Sequence, residues 1–98
     1  MNNKSVLVTG ASKGIGRAIA LDLAKQGYEI VIHYGSDQKS ALEVQAEITK
    51  MDIKSRLLSF DLRNREQVKD VLESDMNQHG AYYGVVCNAG QVWHLALN

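Results

Sequence analysis

Three glycines follow the first apolar run of the sequence at positions that suit the binding of a phosphate group. Gly10, Gly14 and Gly16 lie within the stretch VLVTGASKGIG, which spans residues 6–16. Because glycine has no Cβ, it allows a sharp backbone turn and lets a ligand approach the main chain closely. A helix beginning here would direct unpaired N–H groups and the positive end of its dipole at that ligand. The spacing therefore predicts a pyrophosphate-binding turn, and the alternative is a glycine-rich turn that binds nothing.

Each of the three glycines is expected to have its own role in such a turn. Gly10 permits the sharp exit from the preceding strand, and Gly14 leaves room where a Cβ would intrude on the ligand. Gly16 allows the following helix to lie close to the sheet.

Four short apolar runs alternate with longer segments of helical period. The predicted strands are Ser5–Thr9, Ile30–Tyr34, Arg56–Phe60 and Tyr83–Asn88. The apolar residues on the inner faces of the predicted helices are Ile15, Ala18, Ile19 and Leu23 in the first, Ala41, Val44, Ile48 and Met51 in the second, and Val68, Val71, Leu72 and Met76 in the third. This alternation predicts an α/β fold with a parallel sheet and helical crossovers. Right-handed crossovers give the strand order 3-2-1-4, with the first two helices on one face and the third on the other.

Polar residues and glycines mark the expected helix ends. The first helix stops near Gly27, and Ser40 with Glu43 suggests a capping box near the start of the second. Asn64, followed three residues on by Gln67, is expected to cap the third helix. That helix is expected to end at Gly80.

The composition indicates one small domain with an ordinary surface. Eleven basic and eleven acidic residues cancel among the 98, so neither a nucleic acid nor a membrane is indicated as a partner. No apolar segment has the length of a membrane span. A single cysteine, Cys87, is expected in the core and agrees with a reducing, cytoplasmic location. The three histidines lack metal-ligand spacing, so no metal site is expected.

The residue types of the glycine stretch, together with two later motifs, resemble those of the short-chain dehydrogenases/reductases. The segment from Thr9 to Gly16 (TGASKGIG) resembles the TGxxxGxG cofactor loop of that family. Asn88-Ala89-Gly90 looks like its NAG motif, and Asp61-Leu62 looks like its acidic position beside the adenine. The resemblance covers residues 4–90 and implies a Rossmann-type three-layer αβα fold that binds a nicotinamide dinucleotide.

Within this family, GASKGIGRAIA followed by a strand ending in HYGSD looks most like the 3-oxoacyl-[acyl-carrier-protein] reductases. That resemblance implies a reductase of fatty-acid synthesis whose substrate is an acyl-carrier-protein thioester and whose full-length form is usually a tetramer. The residues expected at the cofactor are Gly10, Ser12, Lys13, Gly14, Ile15, Gly16, Tyr34, Ser36, Asp61, Leu62, Asn88, Ala89 and Gly90.

The end of the second strand bears on the choice between NAD(H) and NADP(H). An NAD-specific site usually places a carboxylate there for the ribose hydroxyls, but this sequence has Tyr34. Glu29 lies at the start of the strand, and Asp37 is better explained as a helix N-cap. Lys13 could bind a 2′-phosphate, with Ser36 and the Gly35 amide as further donors and His33 as a weaker candidate. The pattern therefore favours NADP(H) over NAD(H).

The catalytic pattern of the family is not found in these residues. Its members use a tyrosine and a lysine in a YxxxK arrangement, with a serine that holds the substrate oxygen. The residues four positions after Tyr28, Tyr34, Tyr82 and Tyr83 are Ile32, Gln38, Val86 and Cys87. We therefore assign no catalytic residue and expect the 98-residue chain to be inactive alone.

The last eight residues differ from what the resemblance leads us to expect. Residues 1–90 are interpreted as the N-terminal, dinucleotide-binding part of the family domain, and residues 91–98 (QVWHLALN) as an atypical tail. Truncation after the fourth strand is the expectation, with a divergent natural terminus as the alternative. The helices that usually form the family's oligomer contacts are then absent. A non-catalytic NADP(H)-binding module and the product of a disrupted reading frame are the two rival interpretations of function.

Overall fold

The chain folds around a parallel sheet whose strands are linked by helices. The computed structural model describes residues 4–88. Its strands are β1 (Ser5–Val8), β2 (Glu29–Tyr34), β3 (Ser55–Ser59) and β4 (Gly84–Val86), and its helices are α1 (Gly14–Lys25), α2 (Gln38–Lys50) and α3 (Arg65–His79). The sheet order is β3-β2-β1-β4 and every pairing is parallel, which confirms the predicted topology.

Alternate residues of the central strands face opposite helical layers. Val6 and Val8 of β1 pack in a cluster with residues of α1 and α2, whereas Leu7 packs in a second cluster with residues of α3. All three side chains are buried. A strand that is buried on both faces usually consists of consecutive apolar residues, as the VLV run of β1 does. The three-layer arrangement predicted from the sequence is therefore confirmed.

The buried face of α1 differs from the predicted one. It consists of three small residues at helical spacing, Gly16, Ala20 and Ala24. Ile15 and Ala18 were expected inside the protein, but both are exposed. Ile19 and Leu23 are only half-buried, at the margin of the core. Small side chains let the helix backbone approach the sheet closely, so the bulkier residues of α1 lie to the side of the contact.

The predicted helix ends are confirmed for α1 and α3, whereas the predicted capping box of α2 is wrong. Gly27 and Gly80 follow α1 and α3 with φ values of 97° and 94°. Asn64 Oδ1 accepts a hydrogen bond from the Gln67 amide at 3.1 Å, as expected for α3.

At α2 the residue that caps is Asp37, three positions before the residue predicted to do so. Its carboxylate accepts hydrogen bonds from the Ser40 amide at 3.0 Å and from the Ser40 hydroxyl at 2.7 Å. Ser40 is therefore a donor within the first turn, and it forms no capping box with Glu43. The interpretation of Asp37 as an N-cap is confirmed.

A partly buried ion pair connects β3 with α3. Arg56 donates to both carboxylate oxygens of Asp75, at 2.9 and 2.6 Å. The Tyr82 hydroxyl donates to the same carboxylate at 2.6 Å. Burial alone would raise the pKa of Asp75, but the hydrogen bonds from Arg56 and Tyr82 outweigh it and keep that pKa below its usual range. This cluster joins β3, α3 and the segment that leads into β4.

Candidate functional site

The predicted site residues follow the carboxyl ends of the strands. Because the strands are parallel, those ends share one edge of the sheet. Residues 9–16, here called the glycine loop, follow β1, and Tyr34 ends β2. Asp61 lies two residues after β3, and Asn88 lies two residues after β4. This edge is where ligands bind in open α/β sheets.

Thr9 fixes the start of the glycine loop against the end of β4. It is fully buried, and its backbone N–H donates to the Val86 carbonyl at 2.9 Å. Its hydroxyl lies 3.3 Å from the same carbonyl and accepts a hydrogen bond from the Asn88 amide at 2.8 Å. One buried hydroxyl thus ties two strand ends together. Thr9 opens the TGASKGIG motif, but this structural role was not predicted from the sequence.

Gly10 adopts a left-handed conformation with φ of 60°. Its N–H donates to the Nδ1 atom of His33 at 3.0 Å. Its carbonyl oxygen lies 3.5 Å from Asn88 Nδ2. The sharp exit from β1 expected at Gly10 is therefore present, and side chains from two other strand ends hold it.

Gly16, at the end of the glycine loop, lies against Gly10 near the start of the same loop. A Cβ added to Gly16 would overlap the Gly10 carbonyl oxygen and Asn88 Nδ2, and would lie 2.8 Å from the Gly10 carbonyl carbon. Two of the three contacts are with backbone, which cannot move aside cheaply. The close approach expected at Gly16 is therefore found, but to Gly10 and Asn88 rather than to a strand.

Gly14 differs from Gly16 in its surroundings. Its φ is 61°, and an added Cβ would meet no atom within 4 Å. The conformation favours glycine, whereas the space beside it is open. A ligand approaching the first turn of α1 would therefore find the backbone uncovered at Gly14.

The N-terminus of α1 lacks the side-chain cap that the other helices have. Its N-cap residue, Lys13, is extended and makes no side-chain capping hydrogen bond, and the first turn carries no acidic residue. By contrast, Asp37 caps α2 and Asn64 caps α3. In residues 4–88, α1 is thus the helix whose first N–H groups no side chain satisfies.

Lys13 extends from the loop towards the start of α2. Its ammonium lies 3.2 Å from a carboxylate oxygen of Asp37, and 72% of its side chain is exposed. Hydrogen bonds from the Ser40 amide and hydroxyl, followed by Lys13, lower the pKa of Asp37 to about 2. The candidate cation for a 2′-phosphate therefore already has an anionic partner.

Two other predicted residues of the glycine loop have different exposures. Ser12 is buried, and the preceding amide, that of Ala11, donates to the His33 carbonyl at 2.9 Å. Ile15 is 71% exposed. An exposed isoleucine in the first turn of an uncapped helix is free to contact a ligand, as its inclusion among the site residues requires.

The end of β2 carries no carboxylate. Tyr34 is half-buried, and Gly35 and Ser36 are exposed. The Gly35 carbonyl accepts a hydrogen bond from the Ser59 hydroxyl at 3.0 Å. Glu29 pairs with Ser5 at the opposite end of the strand, so its distance from this edge agrees with the prediction.

Asp61 and Leu62 occupy the turn between β3 and α3. The Asp61 carboxylate accepts hydrogen bonds from the Arg63 amide at 2.9 Å and from the Arg63 guanidinium at 3.1 and 3.2 Å. The Arg63 side chain, followed by its amide, lowers the pKa of Asp61 below its usual range. The Asp61 amide donates to the Gln67 side chain at 2.6 Å. Leu62 packs at the margin of the α3 cluster.

Asn88 is the only member of the predicted Asn88-Ala89-Gly90 motif that the structure describes. It is half-buried and reaches both Thr9 and the Gly10 carbonyl. Ala89, Gly90 and the predicted tail, 91–98, lie outside the described residues.

His33 is part of the framework beneath the loop. It is 2% exposed, and its Nε2 atom lies 2.9 Å from the Phe60 carbonyl. Both ring nitrogens are therefore engaged, one by Phe60 and one by Gly10. The weaker expectation that His33 contacts a 2′-phosphate is wrong, because the ring is buried and has no free nitrogen. Its sequence neighbours gave no signal for this role, since both partners are backbone groups distant in sequence.

Cys87 lies outside the loop. It is exposed and follows β4, so the expectation that it packs in the core is wrong.

Across residues 4–88 no group of three or more potential metal ligands occurs. Among these residues, no helix is long and apolar enough to cross a membrane.

Comparison with known proteins identifies a matching family and several relatives. A family model described as short chain dehydrogenase matches residues 4–97. A 3-oxoacyl-[acyl-carrier-protein] reductase of Aggregatibacter actinomycetemcomitans is 44% identical over 88 residues, which cover 90% of this chain and 36% of that protein. A protein of the same name from Staphylococcus epidermidis is 39% identical over 88 residues, with the same coverage.

Another relative has a different name. A hydroxynaphthalene reductase-like protein of Metarhizium robertsii is 37% identical over 90 residues, or 92% of this chain and 34% of that protein. The chain thus spans about a third of the length of these curated relatives. The family model covers every described segment of the candidate site.

Proposed function

The chain belongs to the short-chain dehydrogenase family, and we propose that it forms the cofactor-binding part of an NADPH-dependent reductase. Members of this family are oxidoreductases that use a nicotinamide dinucleotide. We further propose that its cofactor is NADPH, that its substrate is an acyl thioester and that these 98 residues are inactive alone.

The observation that carries the proposal is the uncapped start of α1. Side chains satisfy the first turns of α2 and α3, but none does so for α1, which begins within the glycine loop. Free N–H groups and the positive end of a helix dipole favour an anion at that position. The open space beside Gly14 supports the same interpretation, because a phosphate could approach the backbone there.

The residues of this edge fit a dinucleotide. The loop from Gly10 to Gly16 would hold its pyrophosphate, and Asp61 with Leu62 would lie at the adenine. Asn88 keeps the loop in shape through Thr9 and is expected near the cofactor. The bound dinucleotide supplies hydride chemistry, and the role of these residues is to bind and orient it.

The preference for NADPH is supported by the charges near β2. The described end of this strand presents Tyr34, Gly35 and Ser36, none of which would repel a 2′-phosphate. Lys13 offers the positive charge, although Asp37 already pairs with it. The preference therefore depends on Lys13 exchanging the Asp37 carboxylate for the phosphate.

The substrate part of the proposal depends on the named relatives. Two of them are called 3-oxoacyl-[acyl-carrier-protein] reductases, so we propose reduction of a 3-oxoacyl thioester on acyl carrier protein, in fatty-acid synthesis, for the whole protein. A cytoplasmic site of action agrees with the single cysteine. The family's usual tetramer is an expectation for the full-length form only.

The acid–base step of the reaction is not assigned to these residues. No tyrosine in the 98-residue sequence is followed four positions on by lysine. Loss of general acid–base catalysis typically lowers a rate by about 10²–10⁴. We therefore propose negligible reductase activity for this chain alone. The same observation supports a second candidate function, a module that binds NADP(H) without catalysis.

Thermal unfolding of the 98-residue chain tests cofactor binding directly. The midpoint is measured without ligand, with millimolar NADPH and with millimolar NADH. At one hundred times the dissociation constant, binding adds about 2.7 kcal/mol, which raises the midpoint by several degrees in a domain this small. A larger rise with NADPH than with NADH is expected. A midpoint that neither dinucleotide moves would contradict the proposal.

A matched pair of variants at Gly14 gives this test a control. Asparagine and aspartate tolerate the left-handed conformation better than other side chains, and a Cβ at Gly14 meets no neighbouring atom within 4 Å. Gly14→Asp places a negative charge where the phosphate is expected, whereas Gly14→Asn adds the same volume without charge. We expect the aspartate variant to abolish the NADPH-dependent rise and the asparagine variant to retain part of it. Equal responses of the two variants would argue against an anion at this turn.

A further inference from the structure

His33 connects two strand ends beneath the glycine loop. Its Nδ1 atom lies 3.0 Å from the Gly10 nitrogen, and its Nε2 atom lies 2.9 Å from the Phe60 carbonyl oxygen. The Phe60 ring lies against the imidazole, with ring centroids 4.1 Å apart. The ring therefore has a fixed orientation and a partner on each nitrogen.

The two partners determine which nitrogen carries the proton. A carbonyl oxygen only accepts, so Nε2 must be protonated to donate to Phe60. A backbone N–H only donates, so Nδ1 must be unprotonated to accept from Gly10. Only the neutral ring with its proton on Nε2 satisfies both contacts. A doubly protonated ring would direct Nδ1–H at the Gly10 N–H.

The surroundings of His33 favour this neutral form. Burial lowers the pKa of the ring, and the hydrogen bond to the Phe60 carbonyl opposes that effect only in part. No charged side chain of residues 4–88 contributes to this shift. Asp61, the acidic residue next to Phe60 in the sequence, is exposed and engaged with Arg63.

We propose that His33 is a positioning residue, whose neutral Nε2-protonated ring holds Gly10 in the conformation that binds the dinucleotide. This inference rests on the proposed cofactor function of the glycine loop. It gives that loop a sensitivity to acid, because protonation of His33 removes the acceptor for the Gly10 N–H. A residue that contacts no ligand would thereby set the pH range in which the cofactor binds.

The direction of the pH effect follows from the lowered pKa. The ring of the folded chain takes up a proton only below the usual histidine range near 6.5. Dinucleotide affinity should therefore be constant from pH 8 down to about 6.5 and fall at more acidic values. The stability that neutral His33 contributes is lost over the same interval, as pH falls from the unfolded pKa through the folded one.

Two substitutions of His33 distinguish the effect of the Nδ1 hydrogen-bond acceptor from the effect of the ring volume. His33→Asn retains an acceptor oxygen near the position of Nδ1 and cannot titrate. His33→Phe retains the ring volume but leaves the Gly10 N–H without a partner. His79→Asn, at the exposed C-terminal end of α3, serves as the matched control.

The affinity of each variant is measured with NAD⁺ rather than NADP⁺, because the 2′-phosphate itself titrates near pH 6. At pH 7.5 we expect His33→Asn to bind within about threefold of the unmodified chain, and His33→Phe to bind about tenfold more weakly, as loss of a buried hydrogen-bond partner predicts. From pH 7.5 to 5.0 the affinity of the unmodified chain should fall, while that of His33→Asn stays level. Equal affinities and equal pH profiles in all variants would overturn the proposal.

Nuclear magnetic resonance of the unmodified chain gives a readout that needs no cofactor. The ring ¹⁵N signals should show a proton on Nε2 and none on Nδ1, and the Gly10 amide signal should shift with the midpoint of the His33 titration. A proton on Nδ1 at pH 7.5, or a Gly10 amide indifferent to that titration, would overturn the proposal even if the dinucleotide binds. If no dinucleotide binds at any pH, the proposed function fails, while the Gly10 signal still decides whether His33 holds the loop. If the His33→Phe variant does not fold, these signals of the unmodified chain still test whether His33 holds Gly10.

Discussion

The ammonium nitrogen of Lys13 lies 3.2 Å from a carboxylate oxygen of Asp37, so the loop before α1 is joined to the cap of α2. The contact is largely exposed, and exposed ion pairs contribute little to stability. Its importance lies in its position, because Lys13 is the N-cap residue of α1, whose first turn no side chain caps. Asp37 thereby competes with any phosphate that Lys13 binds.

Replacement of Lys13 by glutamine should weaken NADPH binding without weakening NADH binding. One exposed charge-assisted contact is worth about 1 kcal/mol, which corresponds to about fivefold in the dissociation constant. Isothermal titration with both dinucleotides measures the two constants. Lys25→Gln, at an exposed lysine in the last turn of α1, should change neither. A parallel loss for NADPH and NADH in Lys13→Gln would show that Lys13 does not recognise the 2′-phosphate.

The Asp37 carboxylate should become protonated only in strong acid. Hydrogen bonds from Ser40, supported by Lys13, hold its pKa at about 2. A lowered carboxyl pKa contributes stability that is present above about pH 4 and is lost as pH falls towards 2. Asp37→Asn retains a capping oxygen but cannot titrate, so the difference in unfolding midpoint between the two chains should shrink over that interval. A carboxyl carbon signal of Asp37 that titrates near pH 4 would contradict this.

Alanine at three glycines should lower stability by amounts that follow the local geometry. Gly16→Ala places a Cβ against the Gly10 backbone, which costs about 1–3 kcal/mol or more. Gly14→Ala meets no atom but keeps a φ of 61°, which costs about 1–2 kcal/mol. Gly35→Ala meets neither restriction and should be nearly neutral. Urea unfolding ranks the three, and a Gly16 variant as stable as the Gly35 variant would contradict the close contact.

The same crowding gives a second check on Gly16. Truncation of Asn88 to alanine in the Gly16→Ala background should restore little stability, because the Gly10 carbonyl remains in place. Full restoration would mean that the side chain of Asn88, rather than the loop backbone, is the obstacle.

The Arg56–Asp75 ion pair should contribute more to the free energy of unfolding than the hydrogen bond between Tyr82 and Asp75. Asp75→Asn leaves a guanidinium whose side chain is only 25% exposed without its counter-charge, at a cost of about 2–3 kcal/mol. Tyr82→Phe removes a single hydrogen bond, at about 1 kcal/mol. Urea unfolding measures both, with the exposed Asp70→Asn of the same helix as control. A loss in Asp75→Asn no larger than in Tyr82→Phe would show that the ion pair adds nothing to the hydroxyl contact.

The topology was predictable because each strand is a short apolar run and each crossover has helical period. The run VLV in β1 is buried on both faces, so its signal is strong and its position in the sheet follows from connection rules. The contact face of α1 was not predictable in the same way. Periodicity selects bulky apolar residues such as Ile15, whereas the structure uses Gly16, Ala20 and Ala24 because they permit close packing.

The candidate site was predictable only where a backbone requirement leaves a trace in residue type. Gly10 and Gly14 are glycines because their φ values are positive, and that need is visible in the sequence. The role of His33 is not visible, because its partners are the amide and carbonyl of residues 23 and 27 positions away. Similarly, Asp37 and Ser40 both suit a capping position, and only the structure distinguishes acceptor from donor.

The hydrogen bond between Thr9 and Asn88 also has a consequence for the order in which the chain folds. It joins residues 79 positions apart, whereas Gly10 and His33 are separated by 23. Loop closure costs about 4 kcal/mol for the longer span and about 3 kcal/mol for the shorter one, apart from a common constant. The contact with His33 should therefore form early, while β4 joins late. During synthesis, the glycine loop would acquire its final shape only after residue 88 has left the ribosome.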